Sequence, residues 1–397
     1  MAGGGKGAVI MNAPSERQRA LHLLQRIERE NLYASLLLIG ESGFVRTLVL
    51  GVLRWRSRLD FVIAALAKRS IRQLDASVVE VLRLGLYQLL YMDVAPYAAV
   101  SEAVDLTPKR ARGFVNAVLR NAARTKIPEP QDVPTRTAHP LWLIERWTRM
   151  YGAERAARIA EANQELSYPD VLALHGVQPP DANPSELVPD VFKLHGSSAE
   201  LDRRDFYPMD EGSAVVAAIA QAAGNHVLDL AAAPGGKAIY MTHRGARVVA
   251  NDVSLTRLLP LKERDVPIVV GDGTHPPFQR AFDVVLLDAP CSATGTIRKS
   301  PELKWRLQEN ELAQFAELQK KLLRNAMTLA SKVVIYSTCS LEPEENDAVV
   351  EGYERVDIRP FVPTGAQKWA EDGVLRLTPE SGADGFTAFA LRSSTSE

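Results

Sequence analysis

Two cysteines occur in 397 residues, and each follows an apolar run that reads as a buried strand. Cys291 closes VVLLDAPC and Cys339 closes VVIYSTC. A thiolate is the strongest nucleophile among ordinary side chains, so a cysteine at a strand end, among small polar residues, is a candidate for covalent chemistry. In open α/β sheets ligands bind at the carboxyl ends of the strands, so two such ends in one sheet define one site. Cys339, in YSTCSLEPEEN, is the candidate nucleophile. An arbitrary cysteine is a small buried hydrophobe, and only the matched contexts of this pair argue otherwise.

The elements that must carry these residues run from Phe206 onward. HVLDLAAAPGGK, ARVVANDVS, VPIVVGDGT, FDVVLLDAPC and SKVVIYSTC alternate with helical segments such as LAQFAELQKKLLRNAMTLA. That alternation predicts a doubly wound, mainly parallel sheet of Rossmann-like type, and GVLRLTPESGADGFTAFALR adds two strands, antiparallel at an edge.

A cofactor site precedes the chemical one. The first strand ends in Asp229 and leads into Leu230, Ala231, Ala232, Ala233, Pro234, Gly235, Gly236 and Lys237. The paired glycines let backbone amides approach a ligand and open a helix whose dipole favours an anionic group. The loop is neither G-x-G-x-x-G nor a P-loop. Asp252 ends the second strand, where a dinucleotide fold places the acid that holds ribose hydroxyls, and Asp272 follows the third. Either aspartate alone would ordinarily be an N-cap or turn residue. Together with a glycine loop and no partner for a pyrophosphate, they read as a site for S-adenosylmethionine.

The first third of the chain has a different character. RQRALHLLQRIE, FVRTLVLGVLRW, LDFVIAALAKR, SVVEVLRLGLYQLLYM, AVSEAVDLTPKR and RGFVNAVLRNAAR space their apolar residues at helical intervals. They predict an all-α bundle over 15–126, after a disordered tail at 1–14. This region holds 18 Lys and Arg against 10 Asp and Glu, while the remainder holds 29 against 38. The asymmetry suits a basic module facing nucleic acid joined to an acidic catalytic body, and Arg54, Arg56, Arg58, Lys109, Arg110 and Arg112 read as cations near helix ends. A solvated surface on a bundle would show the same charges. The prolines of IPEPQDVPTRTAHP deny helix and mark a linker, so 127–205 reads as linker plus a small α+β connector, and 206–397 as the catalytic domain.

No apolar run approaches a membrane span, and the first residues lack a signal-peptide pattern, so a cytoplasmic protein is expected. Free thiols are expected there. The histidines, among them His175, His195 and His226, are scattered without ligand spacing, and no metal is expected.

DLAAAPGGKA, NDVS, GDGT, DAPCSATGTIRKSPELKW and YSTCSLEPEEN, in this order, resemble the motifs of small-subunit ribosomal RNA cytosine-5 methyltransferases of the Sun/Fmu type. RGFVNAVLRN and the basic helices before it resemble the NusB-like RNA-binding domain of that family. The resemblance covers nearly the whole chain and is weakest at 168–204. Ala231 stands where the family often has Cys, Met209 replaces a usual Gln, and Leu174-His175 replaces an Arg-x-Asn element of the connector.

The resemblance implies a covalent mechanism. Carbon 5 of cytosine is a poor nucleophile until a thiolate adds at carbon 6. By resemblance Cys339 is that thiolate, Asp288 holds ring nitrogen 3 and the exocyclic amine, Lys237 lies beside both, and Cys291 assists release. Pro290 stiffens the turn presenting Cys291, and Ser337, Thr338 and Ser340 position the other thiol. The target base must be unstacked. Residues 231–237, Asp252, Asp272 and Asp288 are implied at the cofactor. Trp305, in ELKW, reads as packing beneath the RNA-facing loop, with stacking on a base as the alternative. A monomer acting on small-subunit ribosomal RNA is expected. The alternatives are a non-catalytic RNA-binding or assembly factor, a methyltransferase of another RNA such as tRNA, or DNA methylation.

Overall fold

A computed structural model describes residues 14–279 and 282–393. The tail expected at 1–14 lies, apart from Pro14, outside the described residues. The chain divides into two compact units, residues to Arg146 with Ser300–Glu302, and Trp147–Lys299 with the chain from Leu303 onward. The expected connector, 127–205, is therefore split between them.

The first unit is helical: α1 (Glu16–Glu30), α2 (Ala34–Leu37), α3 (Gly43–Ala67), α4 (Ala76–Tyr91), α5 (Pro96–Leu106), α6 (Arg112–Ala122), α7 (Val133–Arg136) and the start of α8 (Leu141–Tyr151). Ser15, Ser42 and Asp75 cap α1, α3 and α4 through their side-chain oxygens. Leu48, Leu59, Ile63, Leu82, Leu84 and Leu86 are fully buried in its core. α3 and α4 meet at Gly51, where a Cβ would fall 1.9 Å from the Tyr87 ring, so only glycine permits the contact.

Two expectations fail here. FVRTLVLGVLRW and LDFVIAALAKR form one 25-residue helix, because the intervening Arg56-Ser57-Arg58 holds no helix breaker. Arg54, Arg56 and Arg58 are thus mid-helix; Arg54 is buried, Arg56 pairs with Glu28 and Arg58 with Glu129 at 2.7 Å. Arg110 pairs with Asp75 and Arg112 donates to the Thr107 carbonyl. The linker also contains a short helix, α7, because Pro134 sits in its first turn, where a missing N–H is harmless, and Asp132 caps it.

The second unit continues with α9 (Ala153–Ala162) and a four-stranded antiparallel sheet, β1 (Asp170–Ala173), β2 (Ala182–Pro184), β3 (Val191–Leu194) and β4 (Phe206–Pro208), ordered β2-β3-β1-β4. Then come α10 (Glu211–Ala223), β5 (His226–Asp229), α11 (Gly236–His243), β6 (Arg247–Asp252), α12 (Leu255–Lys262), β7 (Ile268–Val270), β8 (Phe282–Asp288), α13 (Leu303–Arg306), α14 (Leu312–Leu329), β9 (Ala330–Thr338), β10 (Arg355–Val356), β11 (Ala370–Glu371), β12 (Val374–Leu377) and β13 (Phe386–Arg392).

Strands β5 to β9 pair in parallel, ordered β7-β6-β5-β8-β9, and β13, β12 and β11 continue the sheet antiparallel. Successive residues of a strand face opposite ways, so Val284, Leu286 and Ile335 join the core with α10, α11 and α12, while Val285, Leu287, Val334 and Tyr336 join the core with α14. This is the doubly wound fold, and its order reverses between β5 and β8, the point where such sheets bind ligands.

Candidate active site

The loop after β5 is shaped by β6. Ala232 N donates to the Asn251 carbonyl at 2.8 Å, and Ala233 N to Asp252 Oδ2 at 3.2 Å. Asp252 Oδ1 accepts from Ser254 N at 3.0 Å, and the side chain is buried. Gly235 takes φ +107°, a backbone setting that favours glycine, and a Cβ there would fall 2.5 Å from Leu261. Gly236 then starts α11.

These residues bound a cleft of about 200 Å³ whose walls include Tyr207, Met209, Asp210, Ala231, Ala232, Ala233, Pro234, Gly236, Lys237 and Asp288. Asp229 also lines it, a residue the sequence motif contained but gave no task. It is 1% exposed, and neither carboxylate oxygen has a hydrogen-bond partner among the described residues. Burial pushes its carboxyl up to about 7, with Lys237 opposing. A buried unpartnered acid beside a glycine loop fits a ligand carrying hydrogen-bond donors or positive charge.

Lys237 Nζ lies 2.6 Å from Asp288 Oδ2, and Asp288 Oδ1 accepts from Ser337 Oγ at 2.9 Å. Burial would lower the Lys237 pKa, but Asp288, with Asp229 and the Cys339 sulfur, holds it above the ordinary lysine value. The parallel pairing of β8 and β9 puts Asp288 opposite Ser337. Three residues beyond Asp288, and two beyond Ser337, the sulfurs of Cys291 and Cys339 approach to 3.3 Å. That hydrogen bond, together with burial, raises the Cys291 thiol well above its ordinary value. Either sulfur can donate in this contact.

Glu345 fastens the two cysteine loops together. It is fully buried and accepts from Ser292 N at 2.8 Å and Ser340 Oγ at 2.6 Å, and also from Ser292 Oγ. Ser292 and Ser340 are the residues next to the two cysteines. Gln319 of α14 donates to Glu345 Oε2 at 2.9 Å and to the Pro290 carbonyl at 2.9 Å. Thr338 bonds Asn346 at 2.7 Å, and Gly295 N donates to the Cys339 carbonyl at 2.9 Å. Glu345 was legible only as part of EPEEN; its reach to Ser292 depends on the fold.

A second charged group edges the cleft. Lys299 Nζ bonds Asp210 and lies 3.1 Å from Asp170 Oδ2 and 3.5 Å from Asp384 Oδ2. It ties β1, the start of α10 and the turn before β13. No sequence pattern links those residues.

Asp272 stands elsewhere. Its Oδ1 accepts from Thr274 N at 2.8 Å, and it lines a separate depression with His275, Lys321 and Asn325. Trp305 lies under the Lys304 ammonium, 5.3 Å from its ring centroid. Among the described residues no cluster of three or more His, Cys, Asp or Glu side chains could hold a metal, and no helix is long and apolar enough to cross a membrane.

A doubly wound sheet with a glycine loop at its switch point and a paired lysine and aspartate beside it defines a Rossmann-like methyltransferase, whose methyl donor is S-adenosylmethionine. Residues 216–392 match the family model described as 16S rRNA methyltransferase RsmB/F, and residues 11–124 match the NusB family. Among curated relatives, the Ribosomal RNA small subunit methyltransferase B of Escherichia fergusonii is 31% identical, covering 87% of this chain and 89% of that one. The Probable ribosomal RNA small subunit methyltransferase B of Bacillus subtilis is 29% identical, covering 96% and 99%. The chain belongs to the RsmB/F family of 16S rRNA methyltransferases. Among solved structures, PH0851 matches with a TM-score of 0.74 at 22% identity over 96% of this chain and 99% of its own. NSun6 from Pyrococcus horikoshii, crystallised with SFG, gives 0.52 at 19% over 65% and 99%. At these identities the two structures speak for the fold.

Proposed function

We propose that this protein methylates carbon 5 of a cytosine in small-subunit ribosomal RNA through a covalent bond to Cys339. The name shared by its curated relatives supports the RNA, and the pair of thiols at adjoining strand ends supports the chemistry. The catalytic domain is assigned to 206–397, and RNA contacts to the helices of 15–126 and the connector at 127–205. The protein acts as a cytoplasmic monomer.

S-adenosylmethionine supplies the electrophilic methyl group. Residues 231–234 and Gly236 line its cleft, Asp252 fixes that loop from behind and Asp229 offers a buried acceptor. Asp272, two residues past β7, lines a separate depression and not this cleft. The Cys339 thiolate adds to carbon 6 of the flipped cytosine, and the electron pair of the 5,6 double bond becomes available at carbon 5. Asp288 holds ring nitrogen 3 and the exocyclic amine and stabilises the protonated ring. Lys237, whose charge is kept by Asp288, favours the thiolate. After methylation the carbon 5 proton goes to a base, the Cys339 bond to carbon 6 breaks, and Cys291, holding a proton beside the departing sulfur, assists release.

The observation that carries this reading is the Cys291 to Cys339 contact at adjoining strand ends. Cys339→Ser is expected to abolish 5-methylcytosine formation, and Cys291→Ser to accumulate a covalent RNA adduct resistant to denaturing electrophoresis. Methylation by the Cys339→Ser protein would refute the assignment. Bisulfite sequencing of ribosomal RNA with and without the gene identifies the nucleotide.

A further inference from the structure

The cations singled out from sequence in the helical unit are largely engaged in salt bridges or hydrogen bonds, yet another part of that unit is built for an anion. A groove of about 610 Å³ runs between α5 and α6, within the size range of ligand pockets. Tyr97, Ser101 and Val104 line it from α5. Asn116, Arg120 and Arg124, spaced four residues apart along and just past α6, line the other side. Tyr97 is 82% exposed, an unusual setting for an aromatic ring that has room to pack. The side chains of Arg120 and Arg124 make no ion pair or hydrogen bond among the described residues, and no Asp or Glu lines the groove. Two like charges this close in the chain repel, and among the described residues no acidic side chain pairs with either.

We propose that this groove binds one unpaired nucleotide of the RNA substrate, its base stacked on Tyr97 and its flanking phosphates held by Arg120 and Arg124. A planar exposed ring suits a base with a free π-face, two unpartnered guanidiniums suit phosphates, and Asn116 supplies a donor and an acceptor for a base edge. An acidic peptide would satisfy the arginines but leave Tyr97 without a stacking partner. The groove's wall of Val104 and Pro96 is apolar, as the second face of a stacked base requires. This inference rests on the reading of RNA as substrate.

The test uses the full chain and a fluorescein-labelled single-stranded RNA of about ten mixed-sequence nucleotides, with binding followed by anisotropy at several salt concentrations. Tyr97→Ala is expected to weaken binding about tenfold or more, and Tyr97→Trp to restore it. The Arg120→Ala/Arg124→Ala protein is expected to flatten the salt slope by about 1.4, the value for two single-strand phosphates. S-adenosylmethionine affinity by calorimetry controls for folding. Undiminished RNA binding in both variants overturns the proposal, as does a polyglutamate peptide that binds the wild type better than RNA and loses that binding in the variants. If the wild type makes no 5-methylcytosine while the variants still lose RNA, the groove stands and the methylation reading falls. If the wild type methylates and the variants bind RNA normally, the reverse holds.

Discussion

The sulfurs of Cys291 and Cys339 lie 3.3 Å apart, although 48 residues separate them in the chain. Their backbones leave neighbouring parallel strands, and the contact is closed by a carboxylate beneath it. Two thiols held this close are poised to oxidise. Diamide, which takes up the two electrons and two protons, is expected to join them rapidly in the native protein and to stop methylation, with dithiothreitol restoring both. Mass spectrometry of the unreduced tryptic digest should find the Cys291 and Cys339 peptides linked. Unlinked peptides from an enzyme inactivated by diamide would sink the prediction.

Glu345 is expected to govern that closeness. In Glu345→Gln one acceptor oxygen becomes an amide that faces N–H and O–H donors, leaving buried groups unsatisfied at about 1–3 kcal/mol. Turnover should fall by more than tenfold with S-adenosylmethionine affinity unchanged, and diamide linkage should slow in parallel. A stability loss without slower linkage would make Glu345 a core residue only.

Lys237 and Asp288 form a mostly buried pair at 2.6 Å. Breaking a buried pair from one side costs roughly 3–5 kcal/mol, and the lower end applies where one carboxylate is partly wetted. Lys237→Met should therefore destabilise by about 3 kcal/mol in urea melts. Adding Asp288→Asn should recover part of the loss while leaving the enzyme inactive. Strict additivity of the two changes would contradict the coupling.

Asp229 gives a pH signature. Its carboxyl is raised from 3.8 to about 7, so the folded protein holds a proton that the unfolded chain releases. Stability relative to Asp229→Asn should be level below about pH 4. Above that it should fall by roughly 1.4 kcal/mol per pH unit up to about pH 7, then level off. Urea melts of both proteins at pH 4.5, 6 and 8 read this directly. A constant difference across that range would mean that Asp229 is ionised in the folded cleft throughout.

Much of the catalytic fold was legible because strand ends are written locally. Apolar runs of a few residues closed by Asp229, Asp252, Asp288 or Cys339 show both where a strand is buried and where it stops. The helical unit was less legible. Arg56 and Arg58 read as surface cations at a helix end because nothing local reveals that α3 runs on past them or that Glu28 and Glu129 come to meet them. Asp272 reads like Asp252 from its position after a strand, yet its side chain turns back on Thr274 at the exposed end of β7.

The amino-acid order alone determined which groups exist to do chemistry and on which strands they ride, since side-chain periodicity and loop composition are properties of neighbours in the chain. The tertiary structure decided which of them meet. The sulfur contact, the Lys237 pair with Asp288, the reach of Glu345 to Ser292 and the unpartnered state of Asp229 all depend on strand order and register, and on burial that strips water from charges, which no local stretch encodes.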